Sequence, residues 1–282
     1  MRHYTSDCAA GPTRADGHAL TVLAADSHAI EAPAAPAHFM ECLQQKRTLD
    51  NSHTSMRVKL RDISLPTFIE RVFAHQPPTD SAKPWYFGRV TFDIEPAEQL
   101  RHLTEIFRSA DALPASGLSN AQIELGLWCM LGGAHDEAFV SLIWDRSLPI
   151  TLRNATIAAL FELYDRLLAA APFEPIDFHA PDRTPRRFES IDYMALALVV
   201  QASQPAATTA YDRARIRATL LAVLERLLDH AAPVAQYAAL HGLGHLPTKR
   251  RVDIIDRYLA TRPRIAHDQR AYALAARAGT LL

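Results

Sequence analysis

The chain has 282 residues, 49% hydrophobic and 22% charged, with a formal net charge of -1 at pH 7. That is an ordinary globular composition, and its balance excludes a global field that would draw the chain to nucleic acid or anionic lipid. Cys8, Cys42 and Cys129 are odd in number and lack paired spacing, which argues against a disulfide framework or a cysteine zinc site and suits a reducing compartment.

No apolar run approaches the roughly 18 residues that cross a bilayer, so no membrane partner is expected. ALTVLAA at 19–25 is short, and Asp7 and Asp16 precede it where a secretion signal would carry positive charge. The expected location is the cytoplasm.

Residues 1–55 are rich in Ala, Pro, His and Ser, hold five of the thirteen histidines and show no sustained periodicity. Such a segment buries too little apolar surface to offset its ordering entropy. It reads as a disordered or non-native extension, with Met56 a candidate true start. The α-helical repeat domain is expected to occupy 56–282. Helical patterning is expected from RVKLRDISLPTFIERVFAH onward, with Ser64 as N-cap, Pro66 in the first turn and a stop at Pro77-Pro78.

WYFGRVTFDI (85–94) has the aromatic and β-branched content of a strand, but without a partner segment it reads as an ordered loop packed by its aromatics. The next helix carries Pro96 in its first turn and Leu100, Leu103 and Phe107 on one face. SNAQIELGLWCML has Ser119 and Gln122 at capping-box spacing and an apolar set of Ile123, Leu127, Trp128 and Leu131. A longer helix starts near Pro149 and carries Ile157, Leu160, Phe161, Tyr164, Leu167 and Leu168. The clearest stripe is Ile216, Leu220, Val223, Leu224, Leu227 and Leu228, at the 3.6-residue period. Hairpin signals are lacking. The expected class is all-α.

YAALHGLGHL (237–246) aligns with YALAARAGTL (272–281) at an offset of 35, matching Tyr237 to Tyr272, Ala238 to Ala273, Gly244 to Gly279 and Leu246 to Leu281. IAALFELY (157–164) matches the same block at an offset of 80 through Ala158, Ala159 and Leu160. Helix pairs recurring at such a period are expected to stack as an α-solenoid, with Ala238, Ala239, Gly242 and Gly244 allowing close approach.

The pattern resembles HEAT-type repeats, mainly over 149–282. LGLWCMLGG (125–133), ALHGLGHL and RAYALAARAG (270–279) are similar to blocks in a group of uncharacterised bacterial proteins that carry an Ala-Leu-His-Gly-Leu-Gly-His run near the C-terminus. The resemblance implies a HEAT-like α-solenoid of stacked antiparallel helix pairs and carries over no catalytic residue.

His241 and His245, at i and i+4, could turn both imidazoles to one metal ion, with His267 and Asp268 in the next connection as further donors. Gly242 stands where a zinc-protease helix has its general base, so packing histidines are the competing reading. Trp85, Tyr86 and Phe87 are either a peptide- or base-stacking surface or a plug over the first helix pair.

Arg183, Arg186 and Arg187 form one basic stretch and Lys249, Arg250 and Arg251 open another. From Leu246 onward eight Lys and Arg face three Asp, a local charge of +5. The candidates are an acidic protein partner, nucleic acid, or a solvated outer face. Asp145, Asp165 and Asp192 read as surface carboxylates. No phosphate loop, nucleophile elbow or cofactor motif is present, and no cofactor is implied.

The function these features favour is a non-enzymatic protein–protein interaction module, such as a bacterial inhibitor, immunity or adaptor protein. The alternative is a nucleic-acid-binding helical repeat protein, and a histidine-ligated metal enzyme comes third.

Overall fold

A computed structural model describes residues 56–59, 63–78, 84–87, 90–132, 139–170, 188, 190–201 and 209–281. The extension expected at 1–55 and the stretch holding Arg183, Arg186 and Arg187 lie outside the described residues. In chain order the elements are strand β1 (Met56–Lys59), helix α1 (Leu65–Phe73), strand β2 (Val90–Asp93), α2 (Pro96–Arg108), the single turn α3 (Ala112–Ala115) and α4 (Asn120–Leu131). There follow α5 (Ile150–Leu163), α6 (Ile191–Gln201), α7 (Ala210–Leu228), α8 (Pro233–His245), α9 (Arg250–Thr261) and α10 (His267–Ala278). Short 3-10 turns occupy Trp85–Phe87 and Phe139–Trp144. The described chain is all-α apart from one two-stranded sheet.

The helix starts follow their caps. Ser64 Oγ accepts the Thr67 N–H, with Pro66 in the first turn of α1. Glu95 accepts from Ala97 and Glu98 at the start of α2, and Ser119 with Gln122 closes a reciprocal capping box on α4. Each cap satisfies donors that a helix cannot bond internally and contributes about 1 kcal/mol. All six residues of the α7 stripe are buried. Leu100, Leu103 and Phe107 of α2 are buried as well.

Four expectations need correction. Residues 56–59 are a strand and not the onset of helix. They pair in parallel with 90–93, in register Met56 to Val90 through Lys59 to Asp93, so the segment read as a loop contains a strand. Parallel strands need a long crossover, here the thirty residues of 60–89 that carry α1, and no local hairpin signal announces such a pair. α1 ends at Phe73, before Pro77-Pro78; His75 Nε2 donates to the Arg71 carbonyl at 2.8 Å just beyond its end. Asp192 is buried near the start of α6, where it and burial together raise the Tyr164 hydroxyl well above its ordinary value, burial being the larger cause. Its surface reading does not hold.

The helices touch in two successions. α1 packs on α4, α4 on α6, α6 on α8, and α8 on α10; α2 packs on α5, and α5 on α7. α7 with α8 links the two successions, and α9 packs on α10. α6, whose residues Ile191–Val200 are all buried, lies between α4 and α8. Its first N–H groups find their acceptor on another helix: Glu124 Oε1 of α4 takes Ser190 N–H at 2.9 Å and Ile191 N–H at 3.2 Å.

Small residues sit at the tightest approaches. A Cβ on Gly126 would overlap the Phe73 ring, and one on Gly242 would lie 2.8 Å from Leu224 and 3.3 Å from Leu196 Cβ. The α5 match at offset 80 is not a structural equivalence, because α5 belongs with α2 and α7 while α8 belongs with α6 and α10. The Gly244–Gly279 match divides too. Gly244 lies within α8 against Leu281, whereas Gly279 caps α10 at φ 73°, the left-handed region that favours glycine.

Candidate functional site

Pro233 opens α8 at its first turn, and the helix carries Tyr237, His241 and His245 on successive turns of one face. α6 supplies Tyr193 to this face, and α10 supplies Asp268 and Tyr272. The Tyr272 hydroxyl lies 2.6 Å from His241 Nδ1. The His241 and His245 rings stand edge to face with centroids 4.8 Å apart, and Tyr193 meets His241 edge-on at 5.6 Å. Tyr237 stacks obliquely on Tyr272 at 5.1 Å and donates to Asp268 Oδ2 at 2.9 Å.

Burial governs the electrostatics. His241 is only 4% exposed; burial, with the neighbouring His245 second, pushes its pKa down to about 3. Burial also lowers His245. Both imidazoles are therefore neutral at pH 7, the form that ligates metals. Burial raises the Tyr272 hydroxyl, as it does Tyr237, where the Asp268 hydrogen bond adds. Neither tyrosine is a base at neutral pH.

The Nε2 atoms of His241 and His245 are buried and have no hydrogen-bond partner among the described residues. No third His, Cys, Asp or Glu among the described residues joins them there. Asp268, one of the expected further donors, is engaged by Tyr237 instead, and His267 is exposed at the start of α10.

A second polar layer ties α8 to α9 and α10. Gln236 Oε1 accepts from Tyr258 Oη at 2.8 Å and Gln269 Nε2 at 2.9 Å, while Gln236 Nε2 donates to the His230 carbonyl at 2.7 Å. His230 Nδ1 accepts the Ala232 N–H, which leaves Nε2–H for Asp165 at 3.3 Å. Burial pushes Tyr258 up to about 12. These donors and acceptors are mutually satisfied, an arrangement that positions helices. Cys129 is buried and its thiol is raised by that burial, so it carries no thiolate.

The C-terminal cations are largely engaged. Arg250 reaches Glu225 at 3.1 Å and Arg257 reaches it at 3.9 Å. Arg262 bonds the Leu228 carbonyl and Asp229, and Arg277 takes Asp256 through two nitrogens. Arg251 donates to the Gly244 carbonyl at 3.1 Å. Lys249, Arg264 and Arg270 have no ion pair with a described residue. The +5 stretch is thus mostly a set of inter-helix clamps. Trp85 is half-buried and stacks on His75 at 3.8 Å, and Tyr86 is buried, 8% exposed. That corrects the stacking-surface reading for Tyr86 and favours the plug.

Sequence reasoning found His241 and His245 but not Tyr193 and Tyr272 as their setting, nor Gln236 and Gln269 in the second layer. The offset of 35 already placed Tyr272 opposite Tyr237; that these repeat-equivalent side chains touch is the signal that was available. Compared with known protein families, curated proteins and solved structures, the chain matches none. No described helix is long and apolar enough to cross a membrane.

Proposed function

We propose that this chain is a non-enzymatic helical scaffold of the HEAT-like α-solenoid kind, which acts by binding another protein in an inhibitor, immunity or adaptor role. The observation that carries this reading is the order of contacts, α1–α4–α6–α8–α10 beside α2–α5–α7. Helices that touch neighbours in sequence order bury their apolar faces by stacking and leave long side surfaces for extended contact.

The outward face of the last helix supplies a recognition chemistry. Leu274 of α10 is 50% exposed, one of two large hydrophobics so exposed among the described residues. Arg270 lies one turn before it on the same face, without an ion pair to a described residue. An apolar anchor beside a cation suits a partner presenting an apolar side chain next to a carboxylate.

The test is affinity isolation of the full chain from cells that make it, with chemical cross-linking and mass spectrometry. A stoichiometric protein cross-linked through α10, and lost in Leu274→Glu, is the expected result. Recovery of no stoichiometric protein overturns the reading. The nucleic-acid alternative has less support, because Arg250, Arg257, Arg262 and Arg277 already hold carboxylates. Steeply salt-dependent binding of the purified chain to duplex or single-stranded DNA would favour it instead.

A further inference from the structure

We propose that His241 and His245 form a binding site for one divalent transition-metal ion of the zinc class, held by their Nε2 atoms between α8, α6 and α10. The argument starts from an unpaired atom. His241 is 4% exposed, and its Nε2 is buried without a partner among the described residues while its Nδ1 is engaged by Tyr272. A buried polar atom left unpaired destabilises the fold, and such an atom calls for a water or an ion.

His245 repeats the condition one turn later: its Nε2 is also buried and has no partner among the described residues, and its ring lies 4.8 Å from that of His241. Two orphaned nitrogens of the same kind on adjacent turns of one helix form a bidentate pair. A zinc ion about 2.0–2.1 Å from each nitrogen requires them roughly 3.4 Å apart, a separation that ring centroids 4.8 Å apart allow.

Tyr272 completes the logic. A metal-ligating histidine commonly donates its other ring N–H to an oxygen, which selects the tautomer and aims the free lone pair at the ion. With His241 Nδ1–H donating to the Tyr272 hydroxyl oxygen at 2.6 Å, Nε2 keeps its lone pair for a cation. The reverse assignment would bury an Nε2–H without an acceptor. Tyr193 closes the site on the α6 side with its ring edge. No further His, Cys, Asp or Glu among the described residues contributes, so the remaining coordination positions belong to water. His245 is the less buried of the two.

The experiment uses the full chain, stripped with chelator and titrated with Zn2+ and, for its visible bands, Co2+. To separate this site from any metal taken up elsewhere on the chain, the quantity read is the difference between wild type and His245→Ala, a variant of the half-buried ligand whose fold is checked by circular dichroism. Wild type is expected to bind one equivalent more, and imidazole 15N NMR to show His241 Nε2 and His245 Nε2 shifting together on Zn2+ addition. Tyr272→Phe should retain that equivalent with affinity weakened about 10- to 100-fold. Equal stoichiometry in wild type and variant overturns the proposal, as do His241 and His245 nitrogens that do not shift, which would leave a buried water as the occupant.

Discussion

Tyr272 brings its hydroxyl within 2.6 Å of His241 Nδ1, joining α10 to α8 across the seam where the two aligned blocks meet. The same alignment places Ala276 opposite His241 and Tyr272 opposite Tyr237. Related positions are thus used differently, a large polar side chain on one helix meeting a small residue's row on the next. Tyr272→Phe removes the hydroxyl and leaves a buried imidazole nitrogen unpaired. The expected loss is about 1–3 kcal/mol of unfolding free energy in urea. Tyr237→Phe, which gives up a more exposed bond to Asp268, should lose less than about 1 kcal/mol. Equal losses would mean the seam's hydrogen bond contributes nothing beyond packing.

Glu124 caps a helix other than its own. Its carboxylate accepts the N–H groups of Ser190 and Ile191 at the entrance of α6, an element buried along nearly its whole length. Glu124→Ala leaves both donors unpaired and should destabilise the chain by about 1–3 kcal/mol, and Glu124→Gln, which keeps one acceptor oxygen, by less. Chemical denaturation of the three proteins orders them. An alanine variant as stable as wild type would remove the cap from the account of α6.

The glycines permit close packing to different degrees. At Gly126 an added methyl meets the ring of Phe73, which is fully buried and has no room to turn. At Gly242 the conflict is with Leu224, whose methyl can move, and with Leu196 Cβ at 3.3 Å, which cannot. Alanine gains about 0.5–1 kcal/mol over glycine inside a helix, set against about 1–3 kcal/mol for overpacking. Gly126→Ala is therefore expected to be clearly destabilising and Gly242→Ala mildly so. Calorimetry that ranks them the other way would show that α4 and α1 adjust more readily than α8 and α6.

What the chain discloses locally and what it hides can be separated by mechanism. α1, α2, α4 and α7 were legible because caps and one-sided apolar stripes are local signals. α6 was not, since a helix covered on every side has no stripe; IDYMALALVV shows only continuous apolarity. The β1–β2 pair was hidden because its partners lie on either side of α1. The arginines of α9 looked like a free cationic surface because Glu225 and Asp229, which hold Arg250, Arg257 and Arg262, sit on the preceding helix pair. His241 and His245 were visible as a pair from their spacing, whereas their tyrosine enclosure depended on which helices become neighbours.

The histidine pair also sets an acid limit on stability. An unfolded histidine takes up a proton near pH ~6.5, but folded His241 stays neutral down to about 3 and folded His245 is shifted the same way. The folded state then binds fewer protons, so stability is fully present above pH ~6.5 and falls as the pH drops through that value towards the folded pKa. For His241 alone the limiting slope is about 1.4 kcal/mol per pH unit. Between pH 7 and 5.5 this amounts to about 1 kcal/mol. Asparagine at this position sets an amide N–H donor where His241 Nδ1–H stands, keeps the hydrogen bond to the Tyr272 hydroxyl oxygen and cannot titrate. Urea unfolding at both pH values, with chelator present, should therefore show wild type losing about 1 kcal/mol more than His241→Asn. Carboxylates elsewhere titrate alike in both proteins and cancel in the comparison, so parallel losses would mean that His241 is protonated in the folded chain and open to water.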